Sequence, residues 1–273
     1  MMRLSKLLIA TPSARVISAS VIMVLSLSTW SNVSPVGAQG TYPAGIFDAQ
    51  EPSGMAPPTA HALAGYHLTY VNDFKHPHIP RGWFPFSGLA GGIPTDRFSV
   101  SHIQLTRGLL QLKTYRDPAN SNRWTTAGLC QCGRPFTYGA VFVRSRETGD
   151  HVNSVELLWP YDNQWPPEID FNESMYKSTL TTSTVHSMGN KTDFHVLKID
   201  MLKWHTWGVI WTPTHILFTV DGRPWHELSV PTAIPHLPMR VDFEQRVNCP
   251  SKADCPTQPT ALQIDWVAEY LPN

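Results

Sequence analysis

Short runs rich in β-branched and aromatic residues recur along the chain from about Tyr66 onward, separated by Gly, Pro, Asn and Asp. In several of them apolar and polar positions alternate, which is the period of a strand with one buried face. The runs are HLTYVNDF, LLQLKTY, GAVFVRSR, VELLW, EIDFNES, TSTVHSM, TDFHVLKID, TWGVIWT, HILFTVDG, MRVDFEQ and ALQIDWVAEY. No long segment has helical periodicity, so the pattern predicts an all-β sandwich or barrel of antiparallel strands, with a hairpin turn at Asp221-Gly222.

The N-terminal residues have a different character. Basic residues precede the apolar run VISASVIMVLSLSTW, and small residues follow it up to Ala38. This order predicts a signal peptide over residues 1–38 and a secreted protein with no membrane attachment after cleavage. An uncleaved anchor is the alternative, although the run is shorter than the roughly 20 residues that a spanning helix needs.

Residues 39–62 are rich in Pro, Gly and Ala and have no periodicity. They are predicted to form a flexible leader, so the folded domain is expected over residues 63–273.

Composition narrows the class of partner. The 273 residues are 42% hydrophobic, enough for one large domain, and 21 basic residues balance 21 acidic ones. A balanced charge offers no electrostatic surface for nucleic acid or for an anionic membrane, so we expect an uncharged partner. We also expect the protein to be a monomer.

Four cysteines in an exported chain predict disulfides. Cys249 and Cys255 bracket a short loop and can pair locally. Cys130 and Cys132 are harder to place, because alternate residues of a strand point the same way and a bond across one residue is strained. A zinc site built from the two pairs is the alternative, but neither has C-x2-C spacing.

The stretch WPPEIDFNES crowds three carboxylates into one strand-like run. Glu168 and Asp170 share a face of the strand, whereas Glu173 would point into the core unless a one-residue β-bulge near Phe171 and Asn172 restored its parity. Two carboxyls on one face suit a retaining glycosidase, which needs a nucleophile and a proton donor roughly 5–5.5 Å apart. The alternative is a solvated polar face on an edge strand. Nearby tryptophans favour the glycosidase over this alternative, because exposed tryptophan rings can stack on sugar rings.

These residues resemble the signature of glycoside hydrolase family 16. The segments YVNDF, TRGLLQLKT, FTYGAVFVRSR, VELLWP, DFHVLKIDM with TWGVIWT, HILFTVDG and QIDWVAEY are similar, in order, to segments that run through that family, so the resemblance covers about Tyr66 to Tyr270. It implies a concanavalin-like β-jelly-roll sandwich of two antiparallel sheets with a concave substrate cleft. The form with an extra residue, E-x-D-x-x-E, resembles laminarinases and agarases rather than lichenases and xyloglucan transglycosylases.

The resemblance also implies roles for individual residues. Glu168 matches the family's nucleophile, Asp170 an assisting aspartate and Glu173 the acid/base. Trp165 matches the tryptophan just before the nucleophile. His186 is similar to a histidine that family members place near the acid/base and the leaving-group sugar, and both residues are candidates for substrate binding. The remaining candidates for the cleft are Trp159, which flanks the acids, and Gln245 in MRVDFEQ.

Catalysis of this kind needs no cofactor. The resemblance does imply a structural calcium held by Asp265 in QIDWV and the carbonyl of Gly108 in TRGLL. Two departures from the family pattern concern the substrate, not the acids: Pro167 stands where many relatives have Gly, and MRVDFEQRVN lacks the glycine-ending pattern of laminarinases.

We therefore expect a secreted, retaining endo-glycosidase acting on β-1,3- or mixed β-1,3-1,4-glucan. The alternatives are a lectin on the same fold and a hydrolase or transglycosylase acting on a galactan. A serine hydrolase would need a G-x-S-x-G elbow, and a zinc peptidase an H-E-x-x-H helix. The sequence contains neither motif.

Overall fold

The computed structural model describes residues 42–90, 93–189 and 191–273, so the predicted signal peptide lies outside the described residues. Within them the chain forms strands joined by loops and four short 3-10 helices. The strands are β1 (Ile46–Phe47), β2 (Met55–Ala56), β3 (Tyr66–Asn72), β4 (Phe84–Pro85), β5 (Gly88–Ala90), β6 (Ile93–Phe98), β7 (Ile103–Thr106), β8 (Leu109–Asp117), β9 (Arg123–Thr125), β10 (Ala127–Cys130), β11 (Gly139–Glu147), β12 (Asn153–Pro160), β13 (Glu168–Glu173), β14 (Leu180–Ser187), β15 (Lys191–Lys198), β16 (His205–Trp211), β17 (Ile216–Val220), β18 (Arg223–Leu228), β19 (Met239–Arg246) and β20 (Thr260–Pro272).

Two large sheets account for most of these strands. A seven-stranded sheet has the order β15-β14-β13-β12-β19-β10-β4, and we call it the cleft sheet. A nine-stranded sheet has the order β18-β17-β16-β11-β20-β8-β7, with β3 on β20 and β9 on β8. The strands within both sheets pair in antiparallel fashion. The predicted all-β sandwich is therefore confirmed.

The main core lies between the two sheets, where the apolar positions of the alternating runs meet. On β13, Ile169 and Phe171 are fully buried in this core, as their parity predicted. They pack in the same cluster as Val241 and Phe243 of β19. The opposite face of β13 and β19 is thereby turned toward the cleft.

The predicted runs all fall on strands of the structure. The expected hairpin is also present, since β17 and β18 meet at Asp221 and Gly222, which both have the positive φ of a tight turn. The periodicity did not predict several of the shortest strands, such as β1 and β4. Two residues are too few to carry an alternation.

Residues 42–62 do not form the flexible leader that their composition predicted. They cover the outer face of the nine-stranded sheet, where Trp266 donates its indole N–H to the carbonyl of Met55 (2.8 Å) and Tyr270 its hydroxyl to that of Thr59 (2.7 Å). Tyr42 packs against the same outer cluster. The folded domain therefore includes these residues, and it extends to the end of the chain, where the Asn273 N–H reaches the Gly65 carbonyl.

Both cysteine pairs form local disulfides. Cys249–Cys255 is bonded as predicted. Cys130 pairs with Cys132, which the strand argument had made difficult. The two cysteines can pair because β10 ends at Cys130. Cys132 lies in the following turn, where side chains no longer alternate as they do along a strand.

Among the described residues, no helix is long and apolar enough to cross a membrane.

Candidate active site

A β-bulge brings the three carboxylates of β13 to one face of the cleft sheet. On β12, Glu156 lies opposite Asn172 and Leu157 opposite Asp170, so Phe171 is the inserted residue. The register with β14 shifts in the same interval, between Asp170 and Glu173. Both the bulge and its place were predicted from the parity of the acids, and the structure confirms them.

Glu168 lies at one end of this row, opposite His186 of β14. Its Oε2 accepts a hydrogen bond from the indole Nε1 of Trp165 at 2.6 Å. Burial raises the pKa of Glu168, while hydrogen bonds from Trp165 and Asp170 act against that rise. Trp165 is half exposed, so it fixes the carboxylate and still presents a ring to the cleft.

Asp170, in the middle of the row, is only 2% exposed. Burial raises its pKa well above the usual value, and the negative charges of Glu168 and Glu173 raise it further. A hydrogen bond joins the side chains of Asp170 and Glu168, and it acts against the rise in the pKa of Glu168.

Glu173, at the other end, is held by two side chains that the sequence did not single out. Its Oε1 accepts hydrogen bonds from Asn153 Nδ2 (3.2 Å) and Arg246 Nη2 (3.3 Å). Arg246 also donates to Asn153 Oδ1 (2.9 Å) and lies 3.6 Å from Glu244 Oε2. Glu173 is thus oriented from the β12 and β19 side.

The prediction that Gln245 faces the cleft is wrong. Its side chain is fully buried between the sheets, where it lies 2.6 Å from Thr114 Oγ1 and 3.2 Å from Ser154 Oγ. The period of β19 explains the error, because Gln245 shares the core face with Phe243. The cleft face of β19 carries the alternate residues instead, which are Arg240, Asp242, Glu244 and Arg246.

His186 lies within the site, as predicted. Its Nε2 is 3.6 Å from Asp170 Oδ2, its Nδ1 is 3.3 Å from Thr192 Oγ1, and its ring is 5.6 Å from that of Trp165. Burial lowers the pKa of His186, so the ring is neutral near neutral pH. A neutral imidazole can both donate and accept hydrogen bonds at the rim of the row.

A cavity of about 440 Å³ opens beside Glu168 on the β12 and β19 side. Trp159, a predicted cleft residue, lines this cavity together with Trp165. Half of the lining residues are charged side chains of β19. Arg240 donates to Asp242 Oδ1 (3.1 Å) and to the carbonyls of Pro160 (3.1 Å) and Tyr161 (3.3 Å), so its cation is fully engaged. Burial raises the pKa of Asp242 well above its usual value, and the charge of the neighbouring Arg240 acts against that rise.

Comparison with known proteins agrees with this geometry. The sequence model of glycosyl hydrolases family 16 matches residues 96–268, which include the whole row of acids. The chain belongs to glycosyl hydrolase family 16. It is also 33% identical over 142 residues to the endo-1,3-1,4-beta-glycanase ExsH of Rhizobium meliloti (strain 1021). That match takes in 49% of this chain and 30% of the relative, so the chain spans less than a third of that curated protein.

Solved structures of the family share the fold. The laminarinase catalytic domain of Thermotoga maritima MSB8 superposes with a TM-score of 0.65 at 16% identity, over 76% of this chain and 99% of that one. A lichenase derived from a mouse hindgut metagenome gives a TM-score of 0.62 at 21% identity, over 75% and 99% of the two chains. The jelly-roll architecture that the resemblance implied is thereby confirmed.

The expected calcium ligands of this family 16 chain border one segment, residues 51–53. Asp265 is fully buried; its Oδ2 accepts from the Ser53 N–H (3.0 Å), whereas its Oδ1 has no hydrogen-bond partner. At Gly108, in the β7–β8 turn, an added Cβ would lie 3.4 Å from Pro52. A buried, unpartnered carboxylate oxygen suits a hard cation, so Asp265 fits the ion that the family implies.

A second group of potential ligands lies in the row itself. Atoms of Glu168, Asp170 and His186 lie within 4.8 Å of one another, a spacing that a metal ion would also accept. The hydrogen bond between Asp170 and Glu168 brings two of these groups together without an ion.

Proposed function

We propose that this protein is a retaining endo-glycosidase that hydrolyses internal bonds of a β-1,3- or mixed β-1,3-1,4-glucan. Membership of family 16 supports a glycosidase. The observation that carries the rest is the bulged strand, because it puts Glu168 and Glu173 on one face with the buried Asp170 between them. Two carboxyls on one face of a strand suit the nucleophile and the proton donor of a retaining enzyme.

The reaction then divides between the two glutamates. Glu168 attacks the anomeric carbon while Glu173 protonates the departing oxygen, and a glycosyl ester forms on Glu168. Glu173 next removes a proton from water, which attacks the same carbon and releases Glu168 as a carboxylate. Because Arg246 and Asn153 hold Glu173, the acid does not have to be reoriented between the two steps.

Proton NMR of the first product tests retention. We expect hydrolysis of a β-glucan to release the β-anomer first, and appearance of the α-anomer first would refute the mechanism. Azide assigns the two roles, because it is small enough to enter the space left by a truncated side chain. With an activated aryl glycoside, Glu173→Ala plus azide should give a β-glycosyl azide, whereas Glu168→Ala plus azide should give the α-product.

The polysaccharide is tested with a panel of β-glucans and galactans. Cleavage of a galactan alone would favour the galactan hydrolase, and binding of glucan without cleavage by the wild-type protein would favour the lectin. The endo mode predicts that viscosity falls well before reducing ends accumulate.

The proposed enzyme is exported. The order of basic, apolar and small residues over 1–38 supports this proposal, as do two disulfides, which persist in oxidising compartments. N-terminal sequencing of secreted protein should start at or within a few residues of Gln39. Recovery of the intact chain from membranes would instead support an uncleaved anchor.

A further inference from the structure

The core directly behind the catalytic row contains polar side chains. Glu156 of β12, Asn172 of β13 and Thr181 of β14 are all fully buried. Glu156 lies opposite Asn172 and shares its face of β12 with Leu158, a core residue. Buried polar groups cost free energy unless they are hydrogen-bonded, so three of them on neighbouring strands indicate a connected network.

Thr181 connects this network to Glu173, the acid/base of the proposed mechanism. Its hydroxyl accepts a hydrogen bond from the backbone N–H of Glu173 (3.0 Å). The same hydroxyl donates its proton to Asn172 Oδ1 (2.6 Å), since the carbonyl of Glu173 is farther away (3.2 Å). A hydroxyl has one proton, so the bond to Asn172 fixes the direction in which the lone pairs of Thr181 face the Glu173 N–H.

Asn172 is held from both neighbouring strands. Its Oδ1 is engaged by Thr181 on β14, and its amide group lies beside Glu156 on β12. A hydrogen bond between Asn172 and Glu156 acts against the rise that burial causes in the pKa of Glu156. These contacts lie where the backbone ladder is interrupted, because the pairing of β13 with β14 passes directly from Asp170 to Glu173. Side chains therefore do part of the work of ladder hydrogen bonds in holding the bulge.

We propose that Asn172 and Thr181 are positioning residues for the reaction: they fix the main chain of the bulge and thereby the reach of the Glu173 carboxyl toward the leaving oxygen. This inference rests on the proposed function. Neither residue touches the substrate, since both lie in the core. Arg246 and Asn153 hold the carboxylate end of Glu173, whereas the buried network holds its main-chain end. Apolar residues of the same volume would fill this space at a lower cost in desolvation, so the contribution of the polar network is geometric.

Thr181→Val tests the proposal, because valine keeps the shape of threonine and removes the hydroxyl. We expect kcat on a soluble β-glucan to fall by about 10- to 100-fold, since a catalytic group displaced by about 1 Å can lose as much as 100-fold in rate. KM should change little, because the cleft surface is unaltered. Thr181→Ser restores the hydroxyl and should recover most of the lost kcat.

A second substrate separates misplacement of the acid from general damage to the site. On a dinitrophenyl β-glycoside of a glucan oligosaccharide, the rate of dinitrophenolate release in the first turnover is measured by rapid mixing. That leaving group departs without protonation, and the first turnover precedes the activation of water. Thr181→Val should therefore release it at nearly the wild-type rate while hydrolysing glucan slowly.

Thr206→Val is the matched control. Thr206 is equally buried and donates its hydroxyl proton to the carbonyl of Ala44 (2.8 Å), but it belongs to β16 of the nine-stranded sheet. The substitution should lower the melting temperature and leave kcat unchanged. Asn172→Leu is a second, independent variant, which removes the amide at similar volume and should show the same difference between the two substrates as Thr181→Val.

Wild-type kcat on glucan in a folded Thr181→Val or Asn172→Leu protein would overturn the inference. Losses of equal size on glucan and on the dinitrophenyl substrate would also overturn it, because they would show damage to the whole row. Both results leave the glucanase itself established. Failure of the wild-type protein to hydrolyse any glucan would instead refute the proposed function, and the positioning role would fall with it.

Discussion

Two buried glutamates make the stability of this protein depend on pH in a direction opposite to that of most carboxylates. Glu147 of β11 and Glu156 of β12 are at most 1% exposed, and hydrogen bonds from serine and asparagine side chains offset only part of the cost of burying their charge. Burial raises the pKa of each from 4.5 to about 8, and the charge of Glu147 adds to the rise at Glu156. Glu156 also lies beside Asn172 of the catalytic bulge.

The sign of the effect follows from proton linkage. Below pH 4.5 each glutamate is neutral in both the folded and the unfolded chain. Between pH 4.5 and 8 the unfolded chain releases the proton while the folded chain keeps it, so the free energy of unfolding falls as pH rises. Above about pH 8 the loss is complete. A shift from 4.5 to about 8 corresponds to about 5 kcal/mol for one glutamate, at about 1.4 kcal/mol per pH unit.

The perturbation is Glu156→Gln, which stays neutral at every pH. Urea unfolding of both proteins should give similar stabilities near pH 5. By pH 8 the variant should be several kcal/mol more stable than the wild type, because it is free of the linked proton loss. Exposed Glu227 provides the control, and Glu227→Gln should follow the wild type throughout. Parallel pH profiles for wild type and Glu156→Gln would refute the reasoning.

Three further predictions concern the site and the proposed ion. In the proposed mechanism Asp170 assists a neighbour and does not react, so Asp170→Asn should lower turnover by about 10- to 1000-fold without abolishing it, as measured by steady-state rates on a soluble glucan. Arg246→Gln should reduce kcat by about tenfold or more with a smaller change in KM, because the arginine orients the proposed general acid, Glu173; equal kcat values would contradict that role. Calcium should raise the melting temperature of the wild type and not of Asp265→Ala, and an unchanged melting curve with chelator and with added ion would argue against the site.

The parity of strand residues predicted most of what matters in the catalytic row. Three acids that cannot all share a face of a regular strand required a bulge, and the register shift lies where that argument placed it. The same rule applied to MRVDFEQR would have predicted a core position for Gln245, since Val241 and Phe243 are core residues at even spacing from it. It would also have placed Arg246 in the cleft. The alternation of core residues along MRVDFEQR was therefore sufficient to predict both positions.

Other features depend on contacts that no local pattern contains. The Pro-rich residues 42–62 are ordered because Trp266 and Tyr270, each 211 positions away from its partner, bind their carbonyls. The exposure of Phe194 on β15 could not be predicted from the sequence for a related reason. Phe194 lies in a run that alternates like a core strand, and only the sheet order shows that β15 lies at an edge, beside the cleft. Composition and period describe a segment, whereas these features depend on its neighbours.

The ordered N-terminal segment has a practical consequence for how this protein can be attached to other things. The described chain starts at Tyr42 on the outer face of the nine-stranded sheet, and Asn273 is bound to Gly65 beside the same sheet. The catalytic row belongs to the other sheet. A tag, carrier domain or solid support joined at either of these positions therefore leaves the cleft free for a long polymer. A truncation within residues 42–59, made on the assumption that they form a flexible leader, would remove the segment that covers Trp266 and Tyr270. It would expose an apolar face that favours aggregation.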